Sequence, residues 1–439
     1  MALFKLGNLH IPHRKNTAGS PAVRMTPPAT VLIPMSQHIG APANPVVKVG
    51  DKVCVGTLIG EASGYVSSPI YSSVSGTVKK LDSFLTSGGR SCMAVLIESD
   101  GEMTPDENIT PPTLTSFDDF SAAVRASGLV GLGGAGFPAA VKFDAEKKGL
   151  IKKIILNGAE CEPYITSDTR TMLDDKDYIK RGIELLQRFT SAEEYVIGIE
   201  ENKAECISAL TELFAKDQRV KVMSLPSTYP QGAEKILIYN TTGLTVPEGG
   251  LPADVGCVVM NVTSLAFLAK YMETGMPLVE KCVTVDGSAI KNPMNVIAPI
   301  GTSIQDIIDF TGGYSEEAGK VLYGGPMMGI AVYNTADPIM KNTNAIVALN
   351  RKDSAPKEQT ACIHCGRCVS YCPMGLNPTL YSKALKVEDV ADRAARLTDA
   401  KINLCIECGC CSYVCPAARP LVENNRLAKA ALRAAQAKK

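Results

Sequence analysis

A multidomain chain of mixed α+β and α/β construction is predicted, and three features of the sequence predict it. The N-terminal part alternates short β-branched runs with Gly and Pro turns, the middle alternates buried-strand and helical patterns, and the C-terminal part carries one cysteine pattern twice. At 439 residues the chain should hold three or four domains of roughly 100–150 residues each.

Residues 1–104 read as an all-β domain. Its runs are TVLIPM, VKVGDKVCVGTLIGEA, SSVSGTVKKL and MAVLIES. The stretch 47–78 resembles a barrel-sandwich hybrid of the biotinyl/lipoyl type. Such domains present a modifiable lysine at a hairpin tip. Here the tip falls near Ser63 and Gly64, and no lysine lies between Glu61 and Val78, so the expectation is an unmodified domain with a structural or docking role.

A Pro-rich linker at 105–115 leads into an α/β domain expected over 116–276. KKIILNGA and EYVIGIEE read as buried strands, and KAECISALTELFAK as an amphipathic helix. The pattern turns short-stranded again over 277–345 (VTVDGSAI, NVIAPIG, VLYGGPMMG), which suits a small β-grasp module. A charged linker at 351–359 precedes the cysteine-rich domain, 355–425. The Ala-, Lys- and Arg-rich residues 426–439 read as a solvated basic tail or helix.

Lys plus Arg equals Asp plus Glu at 45 each, which argues against nucleic acid as the main partner. The longest apolar candidate, 256–269, is short of the ~20 residues of a membrane helix and carries Asn261, Thr263 and Ser264. No cleavable signal is expected, since Pro12, His13, Arg14 and Lys15 interrupt the start. Cys54, Cys92, Cys161, Cys206, Cys257 and Cys282 are scattered without framework spacing and read as reduced thiols.

The repeated pattern is C-x2-C-x2-C-x3-C-P: Cys362, Cys365, Cys368, Cys372 with Pro373, then Cys405, Cys408, Cys411, Cys415 with Pro416. A cubane cluster needs four soft thiolates. Three closely stepped cysteines wrap one face, and in the two-cluster arrangement the fourth comes from the other motif. Cluster I is therefore assigned to Cys362, Cys365, Cys368 and Cys415, and cluster II to Cys405, Cys408, Cys411 and Cys372. Zinc is the competing reading, but it usually takes two C-x2-C pairs with a longer spacer. Cys410 breaks the register and reads as a packed residue. His364 has no partner histidine nearby and belongs on the surface.

The α/β domain opens with GLVGLGGAGFPAAVKF, in which Gly131, Gly133 and Gly136 match G-x-G-x-x-G. The preceding FSAAVRASG reads as a helix rather than a strand, against an ordinary dinucleotide fingerprint. Closely spaced glycines still let backbone N–H groups approach a phosphate, and Pro138 suits the start of a following helix. A glycine-rich packing turn is the alternative.

Gly131-Leu132-Gly133-Gly134-Ala135-Gly136-Phe137-Pro138 followed by Lys142 resembles the flavin loop of the NADH-oxidising subunit of respiratory complex I. NGAECEP (157–163), YPQGAEK (229–235) and MNVTS (260–264) resemble that subunit's later motifs, and the β-grasp module looks like the SLBB domain. The whole order is barrel-sandwich hybrid, Rossmann-like complex I flavin domain, SLBB module and helical two-cluster ferredoxin domain. It is similar to the RnfC family, a component of the Rnf complexes, over essentially the whole chain. The departures are Val130 and Leu132 where complex I has arginines, and Ala159, Ala233 and Thr263 where it has acidic residues. These imply a changed contact set for FMN and NAD(H).

The resemblance implies non-covalent FMN held by Gly131, Gly133 and Lys142, with Asn157, Glu160, Tyr229, Asn261 and Thr263 around it. It implies NAD+/NADH as substrate, contacted by Phe137 and Glu162, and it assigns no acid–base catalytic residue. NAD(H) exchanges two electrons together and a cubane takes one, so a flavin between them is the natural converter. The implied activity is ferredoxin:NAD+ oxidoreduction coupled through partner subunits to ion translocation. The partners would be membrane-embedded Rnf subunits and an iron–sulfur subunit that accepts from ferredoxin, with this chain peripheral on the cytoplasmic side of the inner (plasma) membrane. Two other readings stand beside it. One is the cobalamin reductase of a microcompartment, in which the barrel-sandwich module is expected after the cluster domain. The other is a flavin-free iron–sulfur electron wire.

Overall fold

A computed structural model of the chain describes residues 9–87, 89 and 91–437. Lys438 and Lys439, the end of the expected tail, lie outside the described residues.

The N-terminal β unit packs two antiparallel sheets. One runs in the order Thr30–Pro34, Ser91–Ser99, Gly76–Leu85, Lys52–Val53, and the other pairs Asn44–Pro45, Leu58–Glu61 and Ile70–Tyr71. Inward-facing Val31, Ile33, Ile59, Ile70, Val78, Val95 and Ile97 are buried between them, as strand alternation dictates.

The α/β unit is built on four parallel strands in the order Val220–Leu225, Glu194–Glu200, Lys153–Gly158, Cys257–Asn261. Helices cover both faces, which is why these strands read as nearly continuous apolar runs. In chain order the strands stand 3-2-1-4. The direction of winding therefore reverses between Lys153–Gly158 and Cys257–Asn261, and an open α/β sheet binds its ligand at the carboxyl ends flanking such a reversal.

The β-grasp unit is a six-stranded sheet in which Glu280–Asp286 pairs with Met294–Pro299 on one side and Ala345–Asn350 on the other. A short helix, Ile304–Phe310, crosses it. That helix interrupts a stretch read as strands; Ser303 caps it by accepting from Asp306 N, and Ile304, Ile307 and Ile308 fill the core.

The first described residues do not pack in the N-terminal β unit with which they were expected. Val23–Arg24 adds a parallel edge strand beside Met294–Pro299. Farther upstream, Leu9 bridges Tyr229, and the buried Lys15 ammonium donates to the carbonyls of Glu160, Glu162 and Ile165 at 2.6–2.8 Å. Two-residue pairings and lone tethers carry no periodicity, so nothing in the sequence announced them.

A second buried lysine staples three units. Lys341 Nζ donates to Pro69 O at 2.6 Å, Gly128 O at 2.7 Å and Ser68 Oγ at 3.3 Å. Burial lowers its ammonium to about 7, against about 10.4 for a free lysine. The folded protein sheds this proton before the unfolded chain does. The penalty of the buried charge is thus fully present below about pH 7 and is relieved as pH rises toward the unfolded value. Lys341→Met should lower stability by about 2–4 kcal/mol at neutral pH, since it orphans two buried carbonyls. It should also abolish the part of the stability gain between pH 7 and 10 that this group supplies. Thermal melts across that range check both; a variant with the wild-type slope would refute the assignment.

The C-terminal unit is helical: Pro378–Ala384, Val390–Asp399 and Leu421–Ala437 pack around Leu376, Tyr381, Leu397, Ile402, Ala428 and Leu432. The expected solvated tail is the outer part of Leu421–Ala437. It is a packed element, because Leu421, Val422, Asn425, Ala428 and Leu432 fall on one face at helical spacing.

Candidate cofactor sites

At the reversal point the glycine loop folds back on itself. Gly131 N donates to Phe137 O at 2.9 Å, Val130 bridges Pro138, and Leu132 N donates to Ser264 Oγ at 3.0 Å. Pro138 stands just ahead of the short helix Ala139–Phe143. Gly133 lies against the Asn261 side chain so closely that a Cβ would strike its amide. Between the loop and the strand Cys257–Asn261 is a cavity of about 300 Å³, lined by Gly131, Phe137, Lys142, Met260, Asn261 and Ser264. Lys142 Nζ is tethered to Val259 O at 2.9 Å. A wall in which Gly131 leaves the backbone bare, with a cation at another wall, suits a flavin phosphate and ribityl chain.

Asn261 also accepts from Ser264 N at 3.1 Å, capping the helix Val262–Thr274, and donates to Asp168 at 2.8 Å. Thr263 donates to the same carboxylate at 2.7 Å. Asp168, which no sequence motif marked, thus orients two residues of the site. Asn157 donates to Gly232 O at 2.9 Å and accepts from Ala159 N at 3.2 Å, so it ties the 229–235 loop to the sheet.

Glu160, Glu162 and Tyr229 are engaged elsewhere than at the cavity wall. Glu160 takes a positive φ of 44°. Its carboxylate accepts from Asp168 N and Thr169 Oγ1, both at 2.6 Å, at the start of the helix Ser167–Asp174, with the Lys15 ammonium 3.8 Å away. Glu162 accepts from Met327 N at 3.1 Å and Met328 N at 2.7 Å, which clamps it to the β-grasp loop. Burial pushes both carboxyls above the usual carboxylate range, while Lys15 draws Glu160 back down. The buried Tyr229 hydroxyl donates to Cys408 O at 2.8 Å, so a residue of the flavin-type motif touches the cysteine loop directly.

Each cysteine motif stands beside a cysteine of the other. Cys415, Cys365 and Cys362 lie close enough to Cys368 to raise its thiol, second to burial. Cys408, Cys405 and Cys372 do the same for Cys411. The second set rings a cavity of about 350 Å³ whose other walls include Leu376, Tyr381 and Val422. Four thiols spread around an apolar cavity fit a cubane. Cys410 is fully buried beside this set, whereas Cys365 and His364 are exposed at the other.

These features define a flavin- and iron–sulfur-containing electron-transfer protein, and comparison with known proteins agrees. Residues 4–102 match the RnfC barrel sandwich hybrid domain, 124–270 the Nuo51 FMN-binding domain, 282–331 the SLBB domain and 361–418 the 4Fe-4S dicluster domain. The chain is 43% identical to a component of the proton-translocating ferredoxin:NAD(+) oxidoreductase complex of Clostridium ljungdahlii, covering 84% of this chain and 81% of that one. It is 44% identical to the counterpart in the Na(+)-translocating complex of Acetobacterium woodii, covering 85% of each. The chain belongs to the RnfC family, a component of the ion-translocating ferredoxin:NAD+ oxidoreductase (Rnf) complexes. The fold is also that of a chain of an NAD+-reducing [NiFe]-hydrogenase (TM-score 0.51, 18% identity). The match covers 74% of this chain and 64% of that one, so this chain spans less than two thirds of it. The cofactors are FMN and two [4Fe-4S] clusters, and no helix among the described residues is long and apolar enough to cross a membrane.

Proposed function

We propose that this chain is the NAD(H) end of an ion-translocating complex, exchanging electrons between NAD(H) and a partner subunit by way of FMN, cluster II and cluster I. The observation that carries the reading is the Tyr229 hydroxyl on the Cys408 carbonyl, which couples the flavin-type motif to the cluster II loop. Bound FMN supplies the conversion between paired and single electrons. The chain's own residues do the rest. Gly131 gives the flavin close backbone approach, Gly133 leaves room for the Asn261 amide, and Lys142 offers a fixed cation. Asn261, oriented by Asp168, lines the cavity and Thr263 steadies that carboxylate, while Asn157, Glu160 and Tyr229 hold the surrounding loops in register. Phe137, half-buried at the cavity, is the proposed nicotinamide-nucleotide contact, with Glu162 joining it when Met327 and Met328 release its carboxylate.

The domain divisions proposed are 1–104, 116–276, 277–345, 355–425 and 426–439, with residues 9–25 reaching out of the first into the second and third. The partners proposed are membrane-embedded subunits and an iron–sulfur subunit meeting the exposed Cys365 side. The chain would then sit peripherally on the cytoplasmic face of the inner membrane.

Anaerobic purification followed by flavin, iron and sulfide assay tests this. About one FMN and about eight iron per chain are expected, with the flavin bleaching on NADH addition. Eight iron with no flavin and no response to NADH would leave only an electron wire.

A further inference from the structure

The helix Leu421–Ala437 presents an otherwise apolar face to the cluster domain, formed by Leu421, Val422, Ala428 and Leu432. Asn425 stands in the middle of it, 2% exposed. Its Nδ2 lies 3.4 Å from Cys405 Sγ and 3.9 Å from Cys411 Sγ, two sulfurs of the cluster II set. Its Oδ1 has no hydrogen-bond partner. A buried amide with an orphaned oxygen costs stability that an apolar residue of the same volume would not. The opposite amide orientation would set the oxygen against the sulfurs, so the donor side faces the cysteines.

The two cluster sites differ in surroundings. Cluster II is enclosed by Leu376, Tyr381 and Val422, with Cys408 and Cys411 buried, whereas Cys365 of cluster I is exposed. Adding an electron adds negative charge, and an apolar shell disfavours that more than water does. Backbone donors reach cluster II as well, Glu407 N to Cys405 Sγ at 3.4 Å and Leu376 N to Cys372 Sγ at 3.3 Å. Among the described residues no side chain donates to Cys362, Cys365, Cys368 or Cys415.

We propose that Asn425 is a potential-setting residue: its amide donates to two cluster II thiolates, offsets the burial of that cluster, and keeps it reducible beside the flavin. The proposal rests on the assignment of cluster II to Cys405, Cys408, Cys411 and Cys372. The step it tunes is the gain or loss of one electron, with no bond made or broken.

The test is a redox titration of the full-length protein with both clusters loaded, followed by electron paramagnetic resonance, on wild type, Asn425→Leu and Asn425→Gln. In Asn425→Leu the midpoint of cluster II should move to a more negative potential, with its reduced-to-oxidised ratio at fixed potential falling about tenfold. Cluster I in the same sample should stay unmoved, and Asn425→Gln should recover part of the shift. Should the leucine variant lose iron, Asn425→Ala removes the donor without adding bulk and permits the same comparison. Full iron content with an unmoved cluster II midpoint would overturn the role of Asn425. Wild-type protein with only one titrating cluster would instead overturn the ligand assignment beneath it.

Discussion

Replacing Cys408 with alanine is expected to cut iron from about eight to about four per chain and to leave cluster I unreduced by NADH, while the flavin still bleaches. Cys408 is buried at the end of the Tyr229 hydrogen bond, on the side of the cluster domain facing the α/β unit. Cys365 of the cluster I set is exposed, and no such bond to the α/β unit is made by that set among the described residues. An electron leaving the flavin site would therefore meet cluster II first. Loss of one thiolate of four weakens the soft coordination that holds the cubane, and the apolar cavity offers the uncovered iron no replacement oxygen or nitrogen ligand from Leu376, Tyr381 or Val422 at the vacated position. The Tyr229 bond is to the Cys408 carbonyl and survives the change, so the docking of the two units should persist. Cys365→Ala is the matched control: it should also halve the iron but leave cluster II reducible by NADH. Resonance spectra of NADH-treated samples separate the two variants. Full NADH reduction of cluster I in Cys408→Ala would show that electrons do not pass through cluster II.

The ease with which the cysteine sets could be read, and the difficulty of the rest, have one physical origin. Ligands stepped three apart are fixed by local turns, so spacing singled out the eight cysteines, and the two-cluster arrangement assigns Cys415 to the first set and Cys372 to the second. The buried strands Lys153–Gly158 and Glu194–Glu200 were equally legible, because a parallel sheet covered on both faces leaves an unbroken apolar run. What escaped is long-range. Glu160 acts with Lys15 from 145 positions away, and Glu162 with a loop 165 positions on. Asp168 orients Asn261 and Thr263 across more than ninety residues. Motif resemblance names segments, but whether a carboxylate faces the cavity or caps a helix depends on neighbours that only the fold supplies. Asn425 was hidden differently: in sequence it stands just ahead of the stretch 426–439 that reads as a solvated tail or helix, and its meaning appears only when Leu421–Ala437 packs on the cysteines.

Gly133→Val should abolish flavin binding while leaving the iron content at its wild-type value. Any Cβ at this position enters the Asn261 amide. Displacing that side chain breaks the cap on Val262–Thr274 and the bond to Asp168. Loss of the cap costs about 1 kcal/mol, too little to unfold a domain with this core. The branched side chain and the displaced amide would instead fill the cavity lined by Gly131, Lys142 and Asn261. The expected protein is folded, brown from its clusters, without flavin absorbance and silent to NADH. Far-ultraviolet circular dichroism, iron assay and flavin extraction from the same preparation establish the three points. Retention of FMN at wild-type affinity would place the flavin away from the glycine loop. The variant also separates the two roles this chain could play in electron transfer. If chemically reduced clusters in Gly133→Val still pass electrons to the partner subunit while NADH can no longer fill them, then the cluster domain conducts by itself and the glycine loop is what makes the conductor an NAD(H) enzyme.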